Sequence, residues 1–438
     1  MFAEHFLTKY MRASMGRAMK FRSASPAGGW IPPKQETDDP ILLYLHIPFC
    51  DQLCPYCSFN RIKFDAAVAK EYFDCLRREI RIYDRLGYSF DSVYVGGGTP
   101  TILPAELEST LRLVKELWPI NRISTETNPN HLTPEILGLL RELGVNRLSV
   151  GVQSFNDQVL QAIGRYERYG SGTQIQQQLA AARGFFKTLN IDLIFNYPMQ
   201  SEQMLLQDLR TVKTIEADQI TFYPLMSARA NEQNGNGRRP GQKTRERLFY
   251  GLIRQELADA YHPSSAWSFS RKDYETDWRE NFIDEYIVDN DQYAGLGSGS
   301  FGYLQGTLYS NTFKISQYID LLNKGILPIV ARKRFSRLEQ IRYDFLMKLF
   351  GGSLDRSYFE GKYRGLAILH VWKELLFFLL AGAIKMKNSE IILTDKGYYL
   401  WIVMMREFFT GVNIFREHCM TANHTGTTAA ATYGQDFN

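Results

Sequence analysis

Cysteine is scarce in this sequence, with five among 438 residues. So few cysteines exclude a disulfide-stapled secreted scaffold. Long apolar runs are missing as well. The best candidate, Leu375–Ile384, is too short to span a bilayer and is flanked by Lys373 and Lys385. We therefore expect no membrane partner, and we interpret this run as a buried helix.

Strong charge and a targeting segment are also lacking. A formal net charge of +4 is too small to argue for a nucleic-acid partner. Residues 1–22 mix basic and apolar side chains, without the uninterrupted apolar core that a signal peptide needs. The composition, 45% hydrophobic and 22% charged, is that of a globular protein. We therefore expect a cytoplasmic location, where thiols stay reduced.

Three of the five cysteines are concentrated in one short segment. Cys50, Cys54 and Cys57 have the spacing C-x3-C-x2-C, and they follow the apolar segment Ile41–Ile47, which predicts a strand. Cysteine thiolates are the usual ligands of iron–sulfur clusters. A [4Fe–4S] cluster takes four ligands, so a loop with three cysteines would leave one iron open for an exogenous ligand.

Zinc and disulfide chemistry are the alternatives for this segment. Structural zinc almost always takes four Cys or His ligands, and the two remaining cysteines, Cys75 and Cys419, are solitary. His46 lies four residues before Cys50, but strand alternation should turn its side chain away from the loop. We therefore favour a cluster over zinc, and zinc over disulfides.

Residues 41–226 alternate between strand and helix patterns. Six successive β/α units predict an α/β fold with a parallel barrel or part-barrel. The predicted strands are Ile41–Ile47, Ser92–Val95, Arg122–Thr127, Arg147–Val152, Ile191–Phe195 and Gln219–Tyr223. The predicted helices between and after them are Ala67–Leu86, Pro104–Trp118, Pro134–Leu143, Asn156–Ile163, Thr173–Leu189 and Glu202–Ile215.

Polar residues follow these strands where each one ends. In parallel barrels the chemistry lies at the carboxyl ends of the strands. The sequence therefore predicts one polar site at that end of the barrel. Its members would be the cysteine loop, the glycine-rich segment Gly96–Pro100, Glu126 and Asn128, Gln153 and Ser154, and Asp192 and Asn196.

Two of these features are ambiguous when each is taken alone. Gly96–Pro100 would let backbone approach a ligand closely, but such turns are common between strands and helices. No Gly-Lys-Ser/Thr follows, so the segment is not a phosphate-binding loop. Glu126 is an acid at an interior strand end and needs a partner. A structural ion pair explains it as well as a ligand does.

The segment from Tyr44 to Cys57, with His-Ile-Pro-Phe-Cys50 and Cys54-Pro-Tyr-Cys57, resembles the cluster loop of radical S-adenosylmethionine (SAM) enzymes. It is most similar to the oxygen-independent coproporphyrinogen III oxidase group, with its haem chaperone and anaerobic haem-utilisation relatives. The resemblance implies a partial (β/α)6 TIM-like barrel. It also implies a [4Fe–4S] cluster on the three cysteines and SAM on the open iron, where one electron gives a 5′-deoxyadenosyl radical.

The resemblance also implies which residues hold SAM. Arg165 can clamp a carboxylate in a bidentate fork. Relatives often carry a histidine two residues later, where this chain has Glu167, so no proton donor is carried over and the catalytic residue is left unassigned. The implied cofactor-binding set is Tyr44, Tyr56, Gly98, Thr99, Glu126, Gln153, Arg165 and Asp192.

The substrate implied by the resemblance is a tetrapyrrole. The reaction is either oxidative decarboxylation of coproporphyrinogen III or haem methylation with ring opening. The oxidase carries a further cysteine two residues after the third, where this chain has Phe59, which weakens a strict oxidase assignment. The alternative is a haem chaperone that keeps the cluster and binds haem as cargo. A flavodoxin- or ferredoxin-type electron donor and a monomeric chain are expected.

The remaining segments complete the predicted domain organisation. Tyr293–Phe301 is glycine-dense and resembles a family segment that closes over the barrel mouth, although a tight turn explains it equally well. The predicted divisions are an irregular extension (1–40), the barrel (41–230), a barrel extension that closes the active site (231–330), a mostly helical, winged-helix-like domain (331–415) and a disordered tail (416–438).

Overall fold

The computed structural model of the chain describes residues 5–7, 9–10, 21–23, 30–35, 41–226, 242–273, 288, 290–365 and 367–421. Most of the predicted N-terminal extension and the tail beyond Thr421 lie outside these ranges.

Strands and helices alternate through the first half of the described chain. The strands are β1 (Arg22–Ser23), β2 (Leu42–Ile47), β3 (Phe49–Cys50), β4 (Ile62–Lys63), β5 (Ser92–Gly97), β6 (Arg122–Thr127), β7 (Arg147–Gln153), β8 (Thr188–Phe195), β9 (Gln219–Pro224), β10 (Tyr261–Pro263), β11 (Ser268–Arg271), β12 (Tyr293–Leu296), β13 (Phe301–Leu304), β14 (Thr307–Asn311), β15 (Ile329–Arg334), β16 (Ser353–Asp355), β17 (Ile384–Lys387) and β18 (Glu390–Leu393). The α-helices are α1 (Ala66–Arg85), α2 (Pro104–Leu117), α3 (Pro134–Glu142), α4 (Asp157–Ala162), α5 (Tyr166–Tyr169), α6 (Gly172–Ala182), α7 (Glu202–Ile215), α8 (Gln242–Leu257), α9 (Ile315–Asn323), α10 (Arg337–Phe350), α11 (Arg356–Lys362), α12 (Ala367–His370), α13 (Trp372–Leu380) and α14 (Asp395–Thr421).

The six predicted strands form the centre of one parallel sheet. Strands β2, β5, β6, β7, β8 and β9 lie side by side in that order, and each pair is parallel. Strand β12 adds in parallel to the free side of β2, and β13–β15 continue antiparallel from it. The α/β prediction of six parallel β/α units is confirmed. The parallel addition of β12 has no local signal in the sequence.

One predicted helix is longer than the helix in the structure. The helix predicted as Thr173–Leu189 ends at Ala182, and Thr188 and Leu189 belong to β8, where Thr188 pairs with Arg147. Gly184 has a φ of +77°, a left-handed conformation that favours glycine and commonly follows a helix end. Pairing in the sheet therefore outweighs the helical pattern of this stretch.

The interior of the barrel is polar below the carboxyl ends of its strands. Arg147 is fully buried, and its guanidinium donates to Gln219 Oε1 (2.9 Å) and Ser124 Oγ (3.2 Å). One layer higher, Asp192 accepts hydrogen bonds from Ser149 Oγ (2.7 Å) and Asn190 Nδ2 (2.8 Å). Buried polar groups are tolerated when they are paired in this way.

A buried carboxylate fastens the glycine-rich segment to the barrel. Glu79 on α1 is fully buried and accepts hydrogen bonds from Gly297 N (2.9 Å), Asn311 Nδ2 (2.8 Å) and Tyr318 OH (2.6 Å). Because these donors come from three elements beyond residue 290, one side chain ties α1 to the extension of the sheet.

Close packing explains the glycines of this segment. A Cβ at Gly297 would lie 2.6 Å from His46 O, and one at Gly299 would lie 2.4 Å from Asn60 Nδ2. Both glycines also have positive φ values, +95° and +81°. Asn60 Nδ2 donates to Ser298 O (3.0 Å), so the segment rests against the end of the cysteine loop. Its closure over the barrel mouth stays a prediction.

We expect Glu79→Gln to change how stability depends on pH. Burial raises the pKa of Glu79 from 4.5 to about 7. Stability from the neutral carboxyl is therefore present below its unfolded pKa and is lost as the pH rises through about 7. Relative to the wild type, the uncharged variant should gain on the order of 3 kcal/mol between about pH 5 and pH 8. Thermal midpoints of both proteins at the two pH values check this. An equal difference at both values would contradict it.

The C-terminal part is mostly helical, as predicted, with a small antiparallel sheet of β16, β18 and β17. Helix α14 continues to Thr421, so the predicted disordered tail from residue 416 begins too early. The helix continues because Ile414 and Phe415 remain buried. The Phe415 ring lies 4.5 Å from that of Phe21 and 6.1 Å from that of Phe301.

The apolar run Leu375–Ile384 is not a buried helix. Helix α13 ends at Leu380, and Ile384 begins β17. Leu376 and Leu380 are 47% and 80% exposed, so one side of α13 is apolar and accessible. Within the described ranges, no helix has both the length and the hydropathy that a bilayer crossing requires.

Candidate metal and cofactor site

The cysteine loop begins after the carboxyl end of β2, and its last residues pair with its first. Strands β3 and β4 pair in parallel, with Cys50 opposite Lys63, and Phe64 N donates to Cys50 O (2.9 Å). This pairing closes residues 50–63 into a compact loop. Cys50 and Cys54 are 8% and 6% exposed, whereas Cys57 is partly exposed.

The three thiols lie in one electrostatic environment. Burial, followed by the neighbouring Cys57, raises the pKa of Cys50 to about 11. Without a cation, the Cys50 thiol therefore resists ionisation, whereas a coordinating metal deprotonates a thiol outright. The Arg61 guanidinium holds the loop by donating to the carbonyls of Cys54 and Cys57 (3.2 Å for the latter).

The thiols do not converge on a single metal ion. Among the described side chains, no group of three or more His, Cys, Asp and Glu residues is close enough to hold one ion. In a cubane cluster each thiolate binds a different iron, so its ligands stand further apart than those of zinc. The preference for a cluster over zinc stays a prediction.

Arg165 connects the cysteine loop to the strand ends. Its side chain is buried, with Nη1 3.7 Å from Cys54 Sγ and 3.3 Å from Tyr56 OH. Nη2 donates to Asn128 Oδ1 (3.0 Å) and also to the carbonyl of Gly151. Its Nε is buried and has no hydrogen-bond partner in the part of the chain that the structure describes. An orphaned guanidinium N–H at this position fits an anionic ligand group.

Two further residues contact Arg165: Asn128, which is predicted for the polar site but not for the cofactor set, and Tyr169, which is not predicted. Asn128 Nδ2 donates to Thr99 Oγ1 (2.8 Å), and Thr99 Oγ1 lies 3.8 Å from Cys50 Sγ. Asn128 thus bridges Thr99 and Arg165. Its signal in the sequence is the spacing of two from Glu126, which puts both side chains on one face of the strand end. Tyr169, whose ring lies 3.9 Å from Arg165 Cζ, has no such signal.

Glu126 faces the glycine turn that follows β5. Its carboxylate accepts hydrogen bonds from Gly97 N (3.0 Å) and Tyr94 OH (3.1 Å). A Cβ at Gly96 would lie 2.7 Å from Glu126 Oε1. The acid is therefore held by backbone and phenol donors at the position where the sequence predicts a cofactor contact.

The direction of the His46 side chain differs from the one that strand alternation predicts. Its side chain reaches the end of the cysteine loop, with Nε2 2.8 Å from Asn60 O and Nδ1 2.9 Å from Tyr44 OH. Burial lowers the pKa of His46 to about 4, so the ring is neutral. A carbonyl only accepts, so Nε2 carries the hydrogen and Nδ1 accepts from Tyr44. The Tyr44 hydroxyl is therefore oriented toward His46.

Gln153 and Asp192 lie on neighbouring strands. Gln153 has a φ of +76°, which is unusual for a residue with a side chain, and it follows a register shift between β7 and β8. Asp192 belongs to the polar network of the barrel interior. The structure therefore gathers Tyr56, Thr99 and Arg165 directly around the cysteines and places Asp192 deeper.

We expect Gly98→Ala to loosen the site, because a Cβ there would lie 2.5 Å from Phe49 O. Gly98 N donates to Ile47 O (2.7 Å), so the turn cannot move away freely. The expected loss is about 1–3 kcal/mol of stability. On α3, Gly138 has open space around its Cβ position, so Gly138→Ala should instead raise stability by about 0.5–1 kcal/mol. Urea unfolding checks both variants, and equal effects would rule out packing as the reason for glycine at 98.

Comparison with known proteins confirms the resemblance of the cysteine loop. Residues 44–212 match the family model described as the Radical SAM superfamily. Heme chaperone HemW of Bacillus subtilis is 28% identical over 372 residues, which cover 82% of this chain and 96% of that protein. Oxygen-independent coproporphyrinogen III oxidase of Helicobacter pylori is 26% identical over 395 residues, with 84% and 86% covered.

A solved structure shares the overall fold. The coproporphyrinogen III oxidase (HemN) from Escherichia coli, a radical SAM enzyme, superposes with a TM-score of 0.70 at 24% sequence identity. The superposition covers 86% of this chain and 90% of that one. The fold predicted from the alternating strands and helices, including the helical C-terminal part, is thus confirmed.

Proposed function

Because residues 44–212 match the family model described as the Radical SAM superfamily, we propose that this protein is an enzyme that binds a [4Fe–4S] cluster through Cys50, Cys54 and Cys57 and acts on a tetrapyrrole. The observation that carries the proposal is the chain of contacts from Cys54 through Arg165 and Asn128 to Thr99 and Cys50. It joins the loop to the ends of β5, β6 and β7. When bound, the cluster supplies the electron that cleaves SAM.

The residues at the strand ends have distinct proposed roles toward SAM. The orphaned Nε of Arg165 is placed to donate to the SAM carboxylate. Glu126 provides acceptors for an ammonium or a ribose hydroxyl, and Tyr44, whose hydroxyl donates to His46 Nδ1, is proposed to lie beside the cofactor. Gly98, Thr99, Gln153, Tyr56 and Asp192 complete the proposed cofactor set.

The proposed substrate is coproporphyrinogen III or haem. Relatives named oxygen-independent coproporphyrinogen III oxidase support the first. Phe59, at the position of the oxidase's further cysteine, favours the second, with methyl transfer and ring opening as the reaction. A flavodoxin- or ferredoxin-type donor, a monomeric chain and a cytoplasmic location are part of the proposal.

A haem chaperone is the second candidate. HemW of Bacillus subtilis aligns with 82% of this chain over 96% of its own length, and it is named a heme chaperone. In that case the chain would bind haem without consuming it and would retain the cluster.

Anaerobic reconstitution separates the candidates. We expect the reduced, cluster-loaded protein to form 5′-deoxyadenosine from SAM, at a rate that rises with coproporphyrinogen III or with haem. Conversion of one of them identifies the substrate. Haem binding without consumption of haem or SAM supports the chaperone instead. A colourless, zinc-containing protein would contradict both.

A further inference from the structure

A cavity of about 510 Å³ lies at the end of the barrel opposite the cysteine loop. The loop follows the carboxyl end of β2, whereas Asp291 in this cavity precedes β12, whose first residue pairs with Leu42 at the amino end of β2. Residues of the β13–β14 turn, of α10 and of the end of α11 also line it. Small-molecule sites typically have about 300–1,000 Å³, so this amino-end cavity is large enough for a ligand.

The acids of the amino-end cavity are already paired with lysines. Asp291 lies between two ammonium groups, with Lys348 Nζ 3.0 Å from Oδ1 and Lys362 Nζ 2.9 Å from Oδ2. Burial raises the pKa of Asp291, but the two lysines outweigh burial and bring it to about 2. Lys362 Nζ also lies 2.5 Å from Asp344 Oδ2, which accepts a hydrogen bond from Tyr363 OH (2.5 Å). Two lysines thus balance two aspartates.

Two arginines add positive charge that these acids do not balance. Arg337, at the start of α10, and Arg364, just beyond α11, both line the amino-end cavity. Neither forms an ion pair with a carboxylate in the part of the chain that the structure describes. Arg337 Nη2 donates to the carbonyl of Tyr363 (2.5 Å), and both arginines are exposed. Most of their guanidinium donors are therefore available to a ligand.

Arg364 has a backbone conformation that favours glycine. Its φ is +54°, and Gly365 follows with a φ of +90°. A left-handed residue is common where a helix ends, and it is usually glycine. An arginine at this position has a steric cost that glycine would avoid. The end of α11 therefore does not by itself explain the arginine, whereas a use for its side chain does.

We propose that the amino-end cavity binds a small organic anion, whose phosphate or carboxylate group is held by Arg337 and Arg364. A planar guanidinium fork matches both groups in a bidentate manner. Tyr303, Gln305 and Gln340 also line the cavity, and aromatic and amide side chains are suited to the uncharged part of such a ligand. The site goes beyond the proposed function, because it lies at the other end of the barrel from the cysteines and needs neither the cluster nor SAM.

Calorimetric titration of the full-length protein with pyrophosphate and with citrate tests the site. We expect at least one of these anions to bind, and the two titrations show whether the site takes a phosphate or a carboxylate. Arg337→Gln and Arg364→Gln should each weaken that binding by tenfold or more, because each removes a charged hydrogen-bond donor. Arg81→Gln removes the same charge from an exposed position on α1 outside the cavity, and this matched control should change the affinity less than twofold.

Three results would overturn the proposal. One is that neither anion binds at millimolar concentration. Another is an equal effect of all three substitutions, which would mean attraction to net charge alone. The third is displacement of the bound anion by SAM, which would place the anion at the cysteine loop. Because the substituted arginines are exposed, each variant should keep the thermal midpoint of the wild type without ligand, so that a loss of affinity reports the site and not the fold.

Discussion

Cys54→Ala yields a protein that retains no iron–sulfur cluster and forms no 5′-deoxyadenosine. Three thiolates are the protein's full contribution to the proposed cluster, so removal of one leaves two irons without a protein ligand. Cys54 is also the cysteine nearest the Arg165 guanidinium, 3.7 Å away. Iron and acid-labile sulfide content, together with the visible absorption of the reconstituted protein, measure the loss. Cys50→Ala and Cys57→Ala should behave alike.

The two solitary cysteines supply the control. Cys75 lies on α1 with its Sγ 3.7 Å from Asn323 Oδ1, and Cys419 lies near the end of α14. Cys75→Ala and Cys419→Ala should keep wild-type iron and sulfide. A Cys54→Ala protein that binds iron and sulfide as the wild type does would show that the C-x3-C-x2-C motif does not hold the cluster.

Arg165→Lys weakens SAM binding by about 10- to 100-fold, which corresponds to about 1.5–3 kcal/mol for a hydrogen bond to a charged group. A lysine cannot contact Cys54, Tyr56, Asn128 and Gly151 at once, because its ammonium is a single point and not a planar fork. Titration of SAM against the cluster-loaded variant, with the spectral change of the cluster as the signal, measures the loss.

Arg168→Lys is the matched control, three residues along the chain. Arg168 is 45% exposed, and its side chain pairs with Asp51. An exposed pair contributes about 0–1 kcal/mol, and a lysine can replace it. SAM affinity should stay within twofold of wild type. Equal effects of the two substitutions would show that Arg165 supports the fold in general and not the cofactor.

The barrel is predictable because its signals are local. Leu42–Ile47 is a buried strand with a dense apolar run, Arg147–Gln153 alternates apolar residues with polar residues or glycine, and the structure has both close to the predicted bounds. The errors arise where distant pairing decides. The predicted helix Thr173–Leu189 is too long because Thr188 pairs with β7 in the sheet. The parallel pairing of β12 with β2 joins segments that are far apart in the sequence, so no local pattern indicates it.

The residues of the site also differ in whether a local sequence signal predicts them. The cysteines, Thr99 and Glu126 are visible from spacing and position, because each follows a strand that can be recognised. Asn128 is predicted for the polar site, but its contact with the Arg165 guanidinium is not, because Arg165 comes from a different unit of the barrel. Tyr169 is defined only by the contact of its ring with Arg165. The reach of His46 to Asn60 depends on how the loop folds back, and strand alternation alone gives the wrong direction.

The contact between Arg416 and Ser58 joins two parts of the chain that are made at different times during translation. The two residues are 358 positions apart. At about 5–20 residues per second, a ribosome needs roughly 20–70 s to make the intervening polypeptide. The nascent loop lacks this contact throughout that interval. The contact between the cysteine loop and α14 therefore forms only after the last helix has been made, and a chain stalled before α14 lacks it.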